Sequence, residues 1–351
     1  VLTSVLNAYR TRRGEIEAGA HKLLGALRGV PPNSIALTPE GDEEPVPQGT
    51  SGGTRPEEML SHLSQATLGN AARYLKGQID PPYGGFGPAP KFPQPVTLEF
   101  LLGHFHRTGD QEALDMVVTT LRSMARGGMR DHLGGGFHRY SVDDRWLVPH
   151  FEKRLYDNGL LARVYLHACQ IVGDEEFRDV VTSTLDDVRA DLTDPEWGFY
   201  SARDADSEGE EGTFYIWTPE EVGEVLGRED AALFARAYDV TPSGNFEGKN
   251  ILHLPTGLDT LAEAEGLAAE EMERRLAAGR AELLRARESR EPPFRDEKVL
   301  TSWNSFVLRA LAEAGVVLDR PDYLDAAREN AQFLLDSLRR DGRLKRSWKA
   351  G

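Results

Sequence analysis

One cysteine, Cys169, is all that 351 residues contain, so neither an internal disulfide framework nor a Cys-based zinc cluster can form. Basic residues are outnumbered: 41 Lys and Arg stand against 57 Asp and Glu, a formal net charge of −16 at pH 7. That balance repels phosphate backbones and anionic lipid, which excludes nucleic acid and membrane surfaces as partners. No stretch approaches the roughly 20 apolar residues of a membrane span. The opening residues "VLTSVLNAYRTRRG" lack the signal-peptide order of charge followed by an apolar run. There is no H-E-x-x-H, G-x-S-x-G or Walker A loop, and no dinucleotide fingerprint on a strand. "HFE" at 150–152 matches half of a zinc deaminase signature whose other half requires two further cysteines. The expectation is a chain without a metal site or bound cofactor, in a reducing, cytoplasmic setting.

What is present is a substantial apolar fraction, 40%, enough to bury a core. Residues 1–30 carry an amphipathic helical pattern that ends near Gly29 and Pro31, and 31–55 form a Pro, Gly and acid-rich linker. From 56 to 351 the chain reads as one helical domain. Helical patterns run roughly over 56–78, 96–107, 110–127, 150–172, 174–191, 229–238, 259–288, 301–318 and 321–339. Between 197 and 254, "GFYSARDADSEGEEGTFYIWT" and "NILHL" predict a small antiparallel insertion. Gly-Phe pairs beginning at 85, 136 and 198 recur at about the length of a helical hairpin with its loops. Repeated hairpins of this kind predict an α/α toroid, with inner helices around a cavity and loops at its mouth.

In "PHFEKRLYDNGLLARVYLHA" (149–168), Pro149 sits where a first-turn proline belongs, and polar residues give way to apolar ones along the segment. An inner helix entering at a cavity mouth would have this character, with His150, Glu152, Arg154 and Asp157 lining the cavity. An exposed helix start with salt bridges would look the same. In "RDEKVLTSWNSFVLRALAEAG" (295–315), Asp296, Lys298, Trp303 and Asn304 would reach the same mouth. A tryptophan beside amide and carboxylate groups suits a sugar, and a core tryptophan with a capping amide fits equally. The acidic loop "DADSEGEEGTFY" has Tyr215 where a calcium loop needs a bidentate Glu. It could instead carry Asp204 and Asp206 to the rim as acid–base carboxylates, while Glu208, Glu210 and Glu211 read as a solvated hairpin tip. "GGGF" at 134–137 has no phosphate-loop context and reads as close backbone packing on a neighbouring helix. His132, His138 and His150 are candidates to exchange protons beside a sugar carbonyl if they cluster.

Together, "GGFGPAPKFPQP", "DHLGGGFHRYSVDDRWLVPHFEKRLYDN", "ARDADSEGEEGTFYIWT", "GNFEGKNIL" and "DEKVLTSWNS" span about 81–304. As an ordered set they resemble the spermatogenesis-associated protein 20-like family of thioredoxin-domain-containing proteins, the domain-of-unknown-function 255 group. That resemblance implies a thioredoxin-like domain followed by an (α/α)6 toroid similar to N-acylglucosamine 2-epimerases and six-hairpin glycosidases. It directs attention to His150, Glu152, Asp157, Asp204 and Asp206 as acid–base candidates. His132, Arg139, Tyr140, Asp296, Lys298, Trp303 and Asn304 become candidate contacts to a small carbohydrate. The chain departs from the pattern in having no C-x-x-C or βαβ signal near its start, fewer helices than twelve, and Ser305 where W-N-G is expected. A thioredoxin-like domain and further C-terminal hairpins are accordingly expected to pack on it. The functional expectation is a carbohydrate-binding or carbohydrate-modifying toroid, a sugar epimerase, isomerase or glycosidase-like enzyme. The competing expectation is a non-catalytic ligand- or protein-binding module attached to a redox domain.

Overall fold

Three turns that carry a Gly-Phe pair set the plan of the chain. In each, an aspartate opens the turn and its N–H donates to a glycine carbonyl: Asp80 to Gly85, Asp131 to Gly136, and Asp194 to Gly198. The phenylalanine then closes an antiparallel bridge with the residue just before that aspartate, giving Ile79–Phe86, Arg130–Phe137 and Thr193–Phe199. The repetition in sequence is thus a repetition of backbone structure.

The computed structural model describes residues 65–350. The helix expected over 1–30 and the linker over 31–55 lie outside the described residues. Ten helices follow in order: α1 (Gln65–Lys76), α2 (Pro95–Thr108), α3 (Gln111–Arg126), α4 (Leu155–Val172), α5 (Glu175–Asp191), α6 (Pro219–Tyr238), α7 (Leu258–Glu265), α8 (Ala269–Arg287), α9 (Thr301–Val317) and α10 (Pro321–Ser337). Helices α2, α4 and α9 pack side by side, and α3, α5 and α10 each pack on the back of the helix before them. These three hairpins are half of what a closed six-hairpin ring contains. The fold is mainly α, a portion of an α/α toroid. One continuous core of Leu, Val, Met and aromatic side chains joins all six helices. Helices α6 to α8 form an insertion between α5 and α9, with a second core around Trp217, Phe234, Tyr238, Met272 and Leu276.

Local signals account for the helix ends. Asp174 caps α5 by accepting from the Glu176 N–H, and Thr218 with Glu221 forms a reciprocal capping box at the start of α6. Helix α6 begins at Pro219 and is broken at Gly227, whose φ of 73° and ψ of 170° are not helical, so the predicted 229–238 helix is its second part and the segment before the break is additional. The predicted 259–288 helix divides at Gly266, the left-handed cap of α7.

Other expectations fail for non-local reasons. The polar segment at 149–154 is not helical. Strand β1 (Tyr140–Ser141) pairs with β2 (Pro149–His150), and β3 (Lys153–Arg154) pairs with β4 (Ala202–Arg203), which pairs in turn with β7 (Arg295–Asp296). Pro149 is therefore not a first-turn proline; α4 starts at Leu155 because the residues before it are held extended by partners far away in sequence. The sheet expected within 197–254 is broken into pieces: β4, the small hairpin of β5 (Asp206–Ser207) with β6 (Glu210–Glu211), and single antiparallel bridges of Trp217 with Asn250 and Phe246 with Lys249. Phe214, Tyr215 and Ile216 fold under that hairpin and form a small core with Phe151, Ala205 and Ile251.

Two amides lock the turns onto the helices that follow. Asn158, in the first turn of α4, accepts from the Phe137 N–H at 2.7 Å and donates to the Phe137 carbonyl at 3.1 Å. Asn304, in the first turn of α9, does the same to Phe199 at 2.8 and 2.9 Å. Beneath the turns lie buried ion pairs. Lys153 Nζ donates to Asp131 at 2.8 Å and to the Gly135 carbonyl at 2.7 Å, and Arg287 of α8 grips the same Asp131 through two bonds of 2.8 and 2.9 Å. In the first turn Lys91 repeats the pattern with Asp80 at 2.5 Å and the Gly84 carbonyl at 2.9 Å. Burial alone would raise the Asp131 pKa, yet Arg287 and Lys153 hold it well below the usual carboxylate range. Gly135 is required because a Cβ there would lie 2.2 Å from the Ser183 carbonyl of α5, and its φ of 93° is left-handed. The glycine-rich run is close packing on a neighbouring helix.

Asp131→Ala should cost at least about 3 kcal/mol, because it leaves Lys153 and Arg287 buried with too little counter-charge. Urea unfolding followed by circular dichroism measures this; a loss under about 1 kcal/mol would refute the role given to this carboxylate.

Candidate functional site

The extended segment before α4 brings polar side chains together at the mouth of the arc. Tyr140 and His150 face each other across the β1–β2 pair, and their rings stack with centroids 5.0 Å apart. On its far side Tyr140 meets Phe92 at 4.8 Å, and the Arg139 guanidinium lies 5.6 Å from its ring. His150 Nδ1–H donates to Glu211 at 2.7 Å, while Nε2 lies 3.6 Å from Glu152. The same Glu211 oxygen also accepts from the Phe151 N–H at 3.2 Å. Glu152 in turn accepts from Arg154 Nε at 2.8 Å and Arg139 Nη1 at 3.2 Å.

Asp157 lies in the first turn of α4, beside this network. It is buried, and one of its carboxylate oxygens has no hydrogen-bond partner. Burial pushes its pKa up to about 7; Arg154, Tyr156 and Arg139 oppose the shift and Glu152 adds to it. It is a carboxyl that exchanges a proton near neutrality. Tyr156, its neighbour, packs on Trp303 at 4.8 Å and so joins the starts of the inner helices α4 and α9 in one aromatic platform.

The structure therefore joins Arg139, Tyr140, His150 and Glu152 directly, sets Asp157 where Arg139 and Glu152 act on its charge, and connects Trp303 to this group through Tyr156, the residue before Asp157. Other candidates lie elsewhere. Asp296 stands on β7 in register with Arg154 across β4, two strands away, and forms a surface ion pair with Lys298 at 3.0 Å. Asp206 is exposed on β5, its Cα paired with that of Glu211. Asp204 accepts from the N–H of Ala205 and is tied through its own N–H to Phe294.

Asn304 needs correction as a sugar contact: it is fully buried and its amide is spent on Phe199, Leu300 and Asn330. His132 and His138 do not cluster with His150. Each is buried and donates to a backbone carbonyl, His132 to Gly127 at 2.9 Å and His138 to Phe151 at 2.9 Å. Burial, with Arg130 beside one and Lys153 beside the other, pushes both pKa values down to about 3, so both rings are neutral.

Sequence reasoning passed over Glu211, reading it as a solvated tip, and gave no role to Tyr156. The contact between Glu211 and His150 links residues 61 positions apart, and only the β5–β6 hairpin folding over Phe151 creates it. Among the described residues no group of three or more His, Cys, Asp or Glu side chains is placed to hold a metal ion, and no helix is long and apolar enough to cross a membrane.

Fold and site define a class: a helical-hairpin toroid portion with a histidine and carboxylates gathered at the mouth, where inner helices begin. The chain is 40% identical over 301 residues to human spermatogenesis-associated protein 20, covering 77% of this chain and 38% of that relative. To the rat protein of the same name it is 38% identical over 320 residues, covering 82% of this chain and 41% of the relative. The chain belongs to this spermatogenesis-associated protein 20 family of thioredoxin-domain-containing proteins. It spans about two fifths of the length of those curated relatives. No family model matches it. Among solved structures it is similar to a sugar epimerase from a ruminal bacterium, with TM-score 0.38 and 14% identity, covering 83% of this chain and 91% of that one. It is also similar to cellobiose 2-epimerase from Spirochaeta thermophila, with TM-score 0.37 and 17% identity, covering 85% and 91%. Likenesses this loose carry no argument about chemistry.

The raised pKa of Asp157 fixes a sign for stability. A folded-state pKa above the unfolded value means that the stabilising protonated form is complete below about pH 4 and is lost as pH rises through about 7. Asp157→Asn should match the unsubstituted chain at pH 5 to within a modest difference and exceed it at pH 8, by as much as about 4 kcal/mol. Urea unfolding at the two pH values checks this, and a stability difference independent of pH would contradict it.

Proposed function

We propose that the mouth site binds a small carbohydrate and exchanges protons next to its carbonyl, as an epimerase or aldose–ketose isomerase does. The observation that carries the reading is that Glu152 borders both His150, whose Nε2 lies 3.6 Å away, and the buried carboxyl of Asp157, whose pKa it helps to raise. Glu211 accepts the Nδ1 proton of His150 and so fixes a tautomer whose Nε2 is free to act as a base. Asp157, with a pKa of about 7, is partly protonated at neutral pH and able to act as an acid.

In this reading His150 Nε2 takes the proton from the carbon beside the carbonyl while Asp157 gives one to the carbonyl oxygen, forming an enediol. If the enediol turns so that its opposite face meets His150, return of the carbon proton with loss of the oxygen's proton back to Asp157 gives an epimer. Delivery of that proton to the former carbonyl carbon, with loss of the neighbouring hydroxyl's proton to Asp157, gives the ketose. Tyr156 and Trp303 would offer the apolar platform that a sugar ring packs on, and Arg139 hydrogen bonds for hydroxyl groups. The sugar class and the cytoplasmic setting, which suits a single unpaired cysteine, belong to this proposal.

One feature favours a second reading. Both oxygens of Glu152 are already taken by Arg139 and Arg154, which suits a fixed, non-catalytic surface for a ligand or protein, attached to a thioredoxin-like redox domain. Incubating the protein with mono- and disaccharides and reading epimers and aldose–ketose products by chromatography and NMR separates the two. On the enzymatic reading His150→Ala should lower kcat at least about 100-fold, and Asp157→Asn should remove a limb near pH 7 from the pH–rate profile. Absence of any turnover, or turnover indifferent to His150→Ala, would favour the module.

A further inference from the structure

Behind the arc, between the outer helices α3 and α5 and the inserted helices, lies a groove of about 980 Å³. Neither His150, Glu152 nor Asp157 lines it. Several of its carboxylates are already committed: Asp174 pairs with Arg122 at 2.7 Å, Glu176 with Arg126 at 2.8 Å, and Glu273 with Arg280 at 2.5 Å. Arg130 is the exception. Among the described residues it makes no ion pair; its Nη2 donates to Ser183 Oγ at 3.1 Å, and its Nε is buried without a partner. Asp179, an exposed carboxylate of α5 on the same groove, lies beyond ion-pair distance. Desolvation depresses the Arg130 pKa, with Tyr238 and Tyr165 opposing it. A second donor lies close by: the Tyr238 hydroxyl accepts from Arg280 Nη1 at 3.0 Å and, among the described residues, has no acceptor for its own proton.

The internal repeats show that this charge is not part of the turn. The position that bridges to phenylalanine is Arg130 in the second turn, but Ile79 in the first and Thr193 in the third. The backbone is therefore built equally well with an apolar or a hydroxyl side chain. Asp179 and Glu176 act on the Arg130 charge only from beyond contact distance. A guanidinium held partly out of water without a contacting counter-ion is costly, and a guanidinium fork is suited to two parallel bonds with an oxyanion.

We propose that Arg130, with Arg280 and the Tyr238 hydroxyl, binds the oxyanion of a small ligand in this groove, either a phosphate or a carboxylate group. The site is independent of the mouth and of the activity proposed for it.

Thermal unfolding of the full chain, titrated with inorganic phosphate and separately with acetate at ionic strength held constant by NaCl, tests this. A saturable rise in Tm with phosphate alone assigns a phosphate ligand, and a rise with acetate alone a carboxylate; a rise with both supports the oxyanion site. Arg130→Thr and Arg130→Ile, which copy the residues of the other two turns, should fold and lose at least about tenfold in apparent affinity. Should these variants not fold, Tyr238→Phe, which deletes one hydroxyl, should still weaken the response several-fold. No saturable response to either anion, or one unaltered in Arg130→Thr or in Tyr238→Phe, would overturn the proposal.

Discussion

Everything in the arc hangs on a carboxylate buried beneath a turn. Asp131 receives Lys153 from the strand that precedes an inner helix and Arg287 from the end of the insertion, and its own backbone forms the turn that returns the chain from an outer helix. One acid thus joins an outer-to-inner connection, the strand that positions the mouth, and an insertion of three helices. Two buried cations and one carboxylate would be unfavourable by themselves. Asp187 shares Lys153 at 3.2 Å, and the Gly135 carbonyl takes another of its donors. The first turn uses the same arrangement with Lys91 and Asp80. The third keeps the aspartate but satisfies it with the Tyr200 hydroxyl at 2.7 Å, without a lysine beneath.

The mouth site follows from that anchoring. Lys153 pulls one end of β3 into the interior, so the next residue, Arg154, points towards the mouth and pairs with Glu152. His150 and Glu152 are positioned by extended backbone, Asp157 and Tyr156 by the first turn of α4, and Trp303 by the first turn of α9. Sites built from short strands and helix starts on a packed scaffold hold their side chains with little freedom, which is what proton exchange at fixed distances requires. Further along the inner helices, a second polar group ties α2, α4 and α9 together: His167 lies between Glu99 at 3.0 Å and Glu313 at 3.2 Å, with Arg163 on Glu313 at 2.8 Å. Its charges are spent on each other.

Burial separates the histidines that sequence placed side by side as candidates. His132 and His138 sit inside, neutral and bonded to carbonyls, whereas His150 remains partly exposed between two carboxylates. Nothing in "DHLGGGFHRY" distinguishes a histidine that packs under a turn from one that lines a cavity. The same is true of Asn304, a plausible sugar ligand in "TSWNS", which belongs to the turn at Phe199.

The sequence by itself determined the helical character, the hairpin periodicity and the Gly-Phe turns, because these rest on local rules: apolar spacing, caps, and glycines at positions where a Cβ would collide. It also marked the segment around His150, Glu152, Asp157 and Trp303 as unusual. Only the tertiary structure decided that 149–154 is extended, that Glu211 is the partner of His150, that Asp157 is desolvated enough to titrate near neutrality, and that Arg130 makes no ion pair among the described residues. Each of these depends on pairing, or on its absence, between residues tens of positions apart. Strand partners, ion pairs and desolvation are properties of the packed chain, and no local pattern encodes them.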